Sequence, residues 1–229
     1  MTVSLTRDDL ARIRGGLLSP PRNRTKADVR LVEHLGRRLV VKDYGPRGFI
    51  VRNLLGRFSI ARECRAYARL RGLPGIPSFA GRIDPLALAY EFIPGTPLPG
   101  ADRHSLPNDF FAALDRLLEA IHGRGMAVAD LHHRNVIRRE TDGGPALVDF
   151  ALAVARPPAW NLPARWIFHR AVALDRIAAR RIRLRYASPG GPDRVSPPAA
   201  PLPGMALYGA GRALKRVIGI LKRIGRTRP

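Results

Sequence analysis

The chain has 229 residues, of which 45% are hydrophobic and 25% charged, a balance typical of a folded globular protein and not of a disordered one. A single cysteine excludes an internal disulfide framework, and no apolar run reaches the roughly 18 residues that a membrane-spanning helix needs. The 40 basic and 18 acidic side chains give a net charge of +22, and residues 151–229 hold only two of the acids. This excess predicts a polyanionic partner, either nucleic acid or an anionic membrane surface.

The first half of the chain alternates β-rich runs with one helix-forming stretch. Leu35-Gly36 separates two runs of branched apolar residues and predicts a hairpin, and Ser59 is expected to cap the helix that follows. Weak periodicity and several helix breakers predict no regular structure near the N-terminus. In chain order we expect an irregular segment over 1–25, strands over 29–33 and 38–42, a helix over 58–71, and strands over 79–83 and 86–93.

The second half of the chain is predicted to be mainly helical. Residues 107–123 place apolar side chains on one helical face, and residues 160–187 form an Arg-rich stretch with helical character. Residues 94–97 read Pro-Gly-Thr-Pro and predict a hinge-like break before these helices. Between the helices we expect a loop over 127–135 and short strands over 136–137 and 146–148.

The C-terminal region is predicted to be a linker followed by a basic helix. Residues 188–204 contain six prolines, which favours an extended linker. Residues 205–226, within the terminal stretch 205–229, place apolar side chains on one helical face and Arg and Lys on the other. Such a helix fits an anionic membrane surface, where each basic residue contributes about 1 kcal/mol. In the alternative, the apolar face packs on the protein body; nucleic acid is disfavoured because aromatic residues are scarce there.

Five polar residues stand out because their surroundings are apolar. Lys42 ends a β-rich run in a chain with only four lysines, which indicates a need for a compact ammonium group. Glu63 lies mid-helix 21 residues later, where a carboxylate can pair with that lysine. Asp130 and Asn135 share a loop after an apolar helix, and Asp149 follows a β-rich run. The plainer interpretation makes them a surface lysine, a helix-face ion pair and turn-capping side chains.

The order and spacing of these residues resemble the motif set of the protein-kinase-like superfamily. That set has a strand lysine, a helix glutamate, a D-x4-N catalytic loop and a D-F-G sequence. The short layout after Asp149 is most similar to small bacterial kinases related to lipopolysaccharide core kinases and RIO-type kinases. Over about residues 28–155 the matching segments are Val40-Val41-Lys42, Glu63, Tyr90-Glu91-Phe92-Ile93-Pro94-Gly95, Asp130-Leu131-His132-His133-Arg134-Asn135 and Asp149-Phe150-Ala151.

The resemblance implies an α+β, two-lobed, truncated protein-kinase-like fold. A small β-rich N-lobe would span residues 1–93, and a shortened helical C-lobe with the catalytic loop would span residues 94–187. ATP and Mg²⁺ would be the cofactors. By position, Lys42 would hold the α- and β-phosphates, Glu63 would orient Lys42, Asp130 would accept the proton of the attacking hydroxyl, Asn135 and Asp149 would bind Mg²⁺, and the backbone at Glu91 and Ile93 would bind adenine.

The chain departs from the protein-kinase pattern at several positions. No G-x-G-x-x-G precedes Lys42, so the nucleotide lid is missing or rebuilt. Val128 stands two residues before Asp130, where protein kinases carry His, and Ala151 replaces the glycine of D-F-G. No A-P-E sequence and no long activation loop follow. These departures leave the nucleotide lid and the acceptor site undefined by the resemblance.

The expected activity is transfer of the γ-phosphoryl group of ATP to a hydroxyl acceptor. The resemblance and the basic C-terminal stretch suggest a sugar or a lipid-linked glycan, such as a lipopolysaccharide core, as the acceptor. The lone cysteine predicts a reducing, cytoplasmic location. The basic C-terminal stretch predicts that the protein is peripheral on the inner face of the cytoplasmic membrane. The alternatives are a membrane-associated pseudokinase scaffold, a protein Ser/Thr kinase and a small-molecule phosphotransferase of the antibiotic-kinase type.

Overall fold

The structure is a computed structural model that describes residues 5–13, 16–19, 25–102, 106–107 and 109–187. These residues belong to one unit, residues 1–191, of mixed α/β structure. A β-sheet-rich N-terminal region comes first and helices follow. The predicted boundary between residues 93 and 94 falls inside this unit. The predicted linker over 188–204 and the predicted basic helix over 205–226 lie outside the described residues.

The N-terminal region is built on five strands: β1 (Gly16–Ser19), β2 (Asp28–His34), β3 (Arg37–Asp43), β4 (Phe79–Asp84) and β5 (Ala87–Glu91). They form one antiparallel sheet in the order β1-β2-β3-β5-β4. The predicted hairpin is confirmed as β2 and β3. Its turn residues Leu35 and Gly36 have φ values of 50° and 70°, as a two-residue type I′ turn requires. This turn fixes a register in which Lys42 lies opposite Val29.

The sheet separates two hydrophobic clusters. On one face, Leu39 and Val41 pack with Leu5 beside the short helix α1 (Arg7–Arg12). Side chains alternate along a strand, so Val40 and Lys42 leave the opposite face of β3. That face covers the main core, which continues into the helical region. The alternation therefore directs the only lysine of β3 towards the junction between the sheet and the helices.

Helix α2 (Arg57–Arg69) packs against the core face of the sheet and ends before Gly72, whose φ is 77°. A π-helical stretch, Val51–Gly56, runs into α2 without a break. Ser59 therefore lies inside helical backbone, and the prediction that it caps the helix is wrong. Ser59 is buried, and its hydroxyl accepts a hydrogen bond from the Tyr44 hydroxyl at 3.3 Å.

The later region consists of β6 (Gly95–Pro97), α3 (Phe110–Gly123), β7 (Met126–Ala127), β8 (Val136–Arg139), β9 (Pro145–Leu147), β10 (Val154–Ala155) and α4 (Leu162–Ala187). The predicted helices are confirmed, with α3 and α4 beginning two to three residues late. The apolar face of α3 is buried, as its periodicity predicts. Two small sheets, β6-β8-β9 and β7-β10, fix both ends of the loop between α3 and β8. Part of the segment expected to be a hinge-like break is thus strand β6.

The first 25 residues differ from the irregular segment that the sequence predicts. They contain α1, which Thr6 and Asp9 open with a reciprocal capping box, and β1, which pairs with β2. Such short elements depend on hydrogen bonds to their caps and neighbours, so their own periodicity is too brief to predict them. No helix in the described ranges is long and apolar enough to cross a bilayer.

Candidate functional site

Lys42 lies at the centre of the candidate site. Its Nζ lies 2.8 Å from Oε2 of Glu63 on α2. The same Nζ lies 2.8 Å from Oδ1 of Asp149, which follows β9. Glu63 stands 21 residues and Asp149 107 residues from Lys42 in the chain. The fold therefore joins three of the predicted site residues in one ionic cluster.

The two carboxylates of this cluster differ in burial and in charge preference. The Glu63 side chain is fully buried, whereas that of Asp149 is 46% exposed. Burial raises the pKa of Glu63 although the ammonium lies beside it, while Lys42 lowers the pKa of Asp149. Burial alone would lower the pKa of Lys42, but Asp149 and Glu63 raise it well above its ordinary value. Lys42 therefore stays charged, and Asp149 is the ionised carboxylate that solvent or a ligand can reach.

The backbone at Asp149 is bent so that its carboxylate faces Lys42. Asp149 has a φ of 69°, in the left-handed region that aspartate tolerates better than most residues. The next residue, Phe150, is fully buried and meets the Tyr67 ring edge-on at 5.3 Å between centroids. Tyr67 lies one turn after Glu63 on α2. Packing of the aromatic pair thus holds both carboxylate-bearing segments in place.

Asn135 connects the predicted catalytic loop to the strand before Asp149. The side-chain Nδ2 of Asn135 donates to the backbone carbonyl of Asp130 at 3.3 Å. The backbone carbonyl of Asn135 accepts from the Val148 N–H at 3.1 Å. Asn135 is buried and Asp130 is partly exposed. Because the amide nitrogen is used internally, the Oδ1 atom is the part of Asn135 that can accept or coordinate. Asp130 joins the site through Asn135.

Asp175 on α4 holds the start of this loop, and sequence reasoning did not single it out as a site residue. Its carboxylate accepts from the N–H groups of Val128 and Ala129, each at 2.8 Å, and lies 3.0 Å from Nε2 of His122. Ala129 has a φ of 61°, an unfavourable conformation for alanine that these bonds help to hold. One sequence signal exists, since Asp175 is one of two acids after Asp149.

The predicted adenine-binding segment follows β5. The N–H of Glu91 donates to the Ser78 carbonyl and that of Phe92 to the Arg38 carbonyl, both at 2.9 Å. The Glu91 carboxylate is hydrogen-bonded to the Arg37 guanidinium, which lowers the pKa of Glu91. The N–H groups of Glu91 and Phe92 are used in these two bonds, and residue 94 is a proline without an N–H group. Ile93 therefore carries the N–H group of this segment that could bind a ligand. Neither Glu91 nor Ile93 is among the residues that contact the Lys42 cluster.

Lys26 is a second lysine near the cluster, and sequence reasoning did not assign it to the site. It precedes β2 in the connection from β1 and is exposed. Lys42 is the main cause of the lowered pKa of Asp149, and Lys26 acts in the same direction. Within the described ranges Lys26 and Lys42 are the only lysines, against several tens of arginines in the chain. The rarity of lysine in an arginine-rich chain is the signal that could have found Lys26.

The site is not a ready-made cage for a transition metal. Within the part of the chain that the structure describes, no group of three or more His, Cys, Asp or Glu side chains is placed to hold a metal ion. Asn135 and Asp149 offer one amide and one carboxylate oxygen. Two such hard oxygen ligands match the way Mg²⁺ is bound when phosphates and water supply the other ligands.

Comparison with known proteins does not assign the chain to a family. No protein-family model matches the sequence, and no curated protein matches it in a sequence search. Function is therefore inferred from the residues that the fold brings together. Those residues are Lys42, Glu63 and Asp149 in direct contact, Asn135 and Asp130 joined to them through the Val148 backbone, and Asp175 beneath the loop.

Proposed function

We propose that this protein is a Mg²⁺-dependent phosphotransferase of the protein-kinase-like type, which moves the γ-phosphoryl group of ATP to a hydroxyl acceptor. The observation that carries the proposal is the ionic cluster in which Lys42 contacts both Glu63 and Asp149 at 2.8 Å. Phosphoryl transfer depends mainly on positioning and on neutralising phosphate charge. A fixed ammonium beside an exposed carboxylate provides for both requirements.

Lys42 would bind the α- and β-phosphate oxygens, and Glu63 would hold it in position. The Glu63 carboxylate is fully buried, so it is shielded from phosphate and holds Lys42 from inside the fold. Asp149 is half-exposed on the other side of the ammonium. A phosphate group can therefore approach the edge of the cluster without displacing the buried ion pair. Lys26, exposed on the β1–β2 connection, would add a second positive charge there.

Asn135 and Asp149 fit the ligand set of Mg²⁺. The Nδ2 of Asn135 is bound to the Asp130 carbonyl, which leaves Oδ1 for a cation. Lys42 lowers the pKa of Asp149, so its carboxylate is ionised at neutral pH. Bound Mg²⁺ would neutralise charge on the phosphate oxygens. The two residues would orient the nucleotide relative to Lys42.

Asp130 would be the general base that accepts the proton of the attacking hydroxyl. It is partly exposed, and its backbone is fixed at the carbonyl by Asn135. Asp175 fixes the residues immediately before it through two backbone hydrogen bonds. General-base catalysis requires such positioning, because the base must lie within hydrogen-bond reach of the proton. Adenine would be bound by carbonyl groups near Glu91 and by the N–H of Ile93.

The acceptor is proposed to be a hydroxyl of a sugar or of a lipid-linked glycan at the cytoplasmic face of a membrane. The basic stretch 205–226 and the net charge of +22 support an anionic neighbour. The resemblance to lipopolysaccharide core kinases supports the choice of acceptor.

The test is calorimetric titration of Mg·ATP into the full chain. Asp149→Asn should weaken binding by roughly tenfold or more, because it removes a charged ligand worth about 1.5–3 kcal/mol. Asp149 is a better target than Lys42, whose removal would leave Glu63 buried without a cation. Asp115→Asn is the matched control: its side chain is 47% exposed and pairs with Arg183 outside the cluster. It should bind like the parent protein.

A second variant separates binding from chemistry. Asp130→Asn should keep Mg·ATP binding and lose at least about 100-fold in phosphoryl transfer, since it removes the general base. No binding of Mg·ATP by the folded parent protein would reject the phosphotransferase. The same result would favour a pseudokinase scaffold, which the missing glycine-rich sequence and Val128 already suggest.

A further inference from the structure

The outer surface of the helical stretch that carries Glu63 is apolar. Ile50, Leu54 and Phe58 recur every four residues from the start of this stretch into α2, so they share one face. Their exposed fractions are 61%, 67% and 62%, and that of the preceding Phe49 is 74%. We call these four residues the apolar stripe. Single exposed apolar residues are ordinary, but a contiguous row of four large ones marks an interaction surface.

The exposed charged residues of the helical stretch that carries the apolar stripe are all arginines. Between Asp43 and Asp84 the sequence contains eight arginines and one carboxylate, Glu63. Glu63 is fully buried and paired with Lys42, so it gives the outer surface no negative charge. Arg57 and Arg65 are exposed on α2. This helical stretch therefore offers large apolar side chains next to exposed arginines, the composition of an interfacial helix on anionic lipid.

The apolar stripe adjoins the candidate site through Arg62. The Arg62 guanidinium lies over the Phe58 ring, 5.0 Å from its centroid. It also donates to the backbone carbonyls of Leu152 and Ala153, at 3.2 and 2.9 Å. Leu152 is 53% exposed and comes three residues after Asp149. The apolar surface thus extends to the segment that holds the exposed carboxylate of the cluster.

We propose that the apolar stripe docks this protein on the surface of an anionic bilayer, with the candidate site beside the lipid headgroups. The docking stands on the stripe alone; its purpose, access to a lipid-linked acceptor, rests on the proposed function. Charge favours lipid over the other occupants. Residues 205–226 contain six basic residues and no acid, so they would repel the arginines of α2. A second copy would bring the same arginines to the interface.

The experiment is co-sedimentation of the full chain, without nucleotide, with vesicles of phosphatidylcholine and phosphatidylglycerol. Leu54→Ser/Phe58→Ser should lower the partition coefficient by roughly tenfold or more, because two large apolar side chains no longer enter the interface. Ile177→Ser/Leu184→Ser is the matched control, since both residues are exposed apolar side chains of α4. The control should bind like the parent protein. Every variant keeps residues 188–229, so any contribution of that stretch is common to all.

Charge reversal provides an independent variant that leaves the apolar residues intact. Arg57→Glu/Arg65→Glu should lower binding to the phosphatidylglycerol vesicles by roughly tenfold or more, as each charge contributes about tenfold or less on such surfaces. Equal binding by the parent protein, Leu54→Ser/Phe58→Ser and Arg57→Glu/Arg65→Glu would overturn the proposal. So would a change in oligomeric state, measured by light scattering, with unchanged vesicle binding. Vesicle binding is measured without nucleotide, so failure of the Mg·ATP test does not affect the conclusion on membrane docking. Failure of vesicle binding likewise does not affect the conclusion on the phosphotransferase.

Discussion

The Lys42 cluster and the Asp175 cluster each bury a carboxylate, yet they satisfy it in different ways. Glu63 is held by the ammonium of Lys42, which also contacts the half-exposed Asp149, and by a hydrogen bond from the Phe150 backbone N–H. Asp175 accepts from two backbone N–H groups and lies beside His122, and all of these partners are internal to the fold. The Lys42 cluster therefore reaches solvent at Asp149, whereas the Asp175 carboxylate is enclosed in the fold.

This difference indicates which cluster can serve a ligand. A cation can join the Lys42 cluster at the half-exposed Asp149 carboxylate without breaking the bond between Lys42 and Glu63. The Asp175 carboxylate is 1% exposed and accepts from two backbone N–H groups, so that cluster is a positioning device for the loop before Asp130. Both clusters contain a buried carboxylate with a charged or polar partner. Only the Lys42 cluster also contains a carboxylate that reaches solvent, that of Asp149.

Loss of Asp175 should be the most damaging single change. Asp175→Ala leaves the buried N–H groups of Val128 and Ala129 without acceptors, and each unsatisfied group costs about 1–3 kcal/mol. We expect the free energy of unfolding to fall by about 3–5 kcal/mol, measured by denaturant titration. Asp115→Ala, which breaks an exposed ion pair on α3, should cost about 1 kcal/mol or less. Equal losses in the two variants would contradict the positioning role.

Stability lost at the Lys42 cluster should be recoverable, because the buried carboxylate of Glu63 can be removed together with Lys42. Lys42→Met leaves Glu63 buried and uncompensated, which should cost about 3 kcal/mol of unfolding free energy. Lys42→Met/Glu63→Leu removes both charges, and we expect it to regain most of that loss, since Asp149 is exposed enough to be hydrated. Both variants should fail to bind Mg·ATP.

A matched double variant of the other cluster completes this comparison. Asp175→Ala/His122→Ala removes both side chains but leaves the two backbone N–H groups unpaired. It should therefore show no recovery relative to Asp175→Ala in the same denaturant titration. If the Lys42 pair also showed no recovery, the idea that it is an exchangeable ion pair would be wrong.

The parts of the fold with local signals could be predicted from the sequence. The turn Leu35-Gly36 and its branched flanks define the hairpin, and the apolar face of α3 follows helical periodicity. The ionic cluster was predictable because lysine is rare in this chain and because Glu63 and Asp149 follow at motif spacing. Ser59 was misassigned because the π-helical stretch before it has no side-chain cap that the sequence could reveal.

The missed features depend on partners distant in the chain. Asp175 contacts backbone N–H groups 46 and 47 residues earlier, and backbone groups are the same in every sequence. Strand β1 is four residues long and exists by pairing with β2. Lys26 comes just before β2, far in the chain from Asp149, and its charge contributes to the lowered pKa of Asp149. The contacts of Asp175, β1 and Lys26 thus follow from the topology of the fold and could not be predicted from local sequence.

Substitution of Lys26 should have the smallest effect on Mg·ATP binding, and it tests whether Lys26 acts together with the Lys42 cluster. It is exposed, so its attraction for nucleotide phosphates is weakened by solvent and by salt. Lys26→Gln should weaken Mg·ATP binding in calorimetry by about fivefold at low salt and by less at high salt. Lys26→Arg should retain the affinity, and Arg116→Gln, which removes an exposed cation on α3, should change nothing. A salt-independent loss, or an equal loss in Arg116→Gln, would place Lys26 outside the site and limit the cluster to Lys42, Glu63 and Asp149.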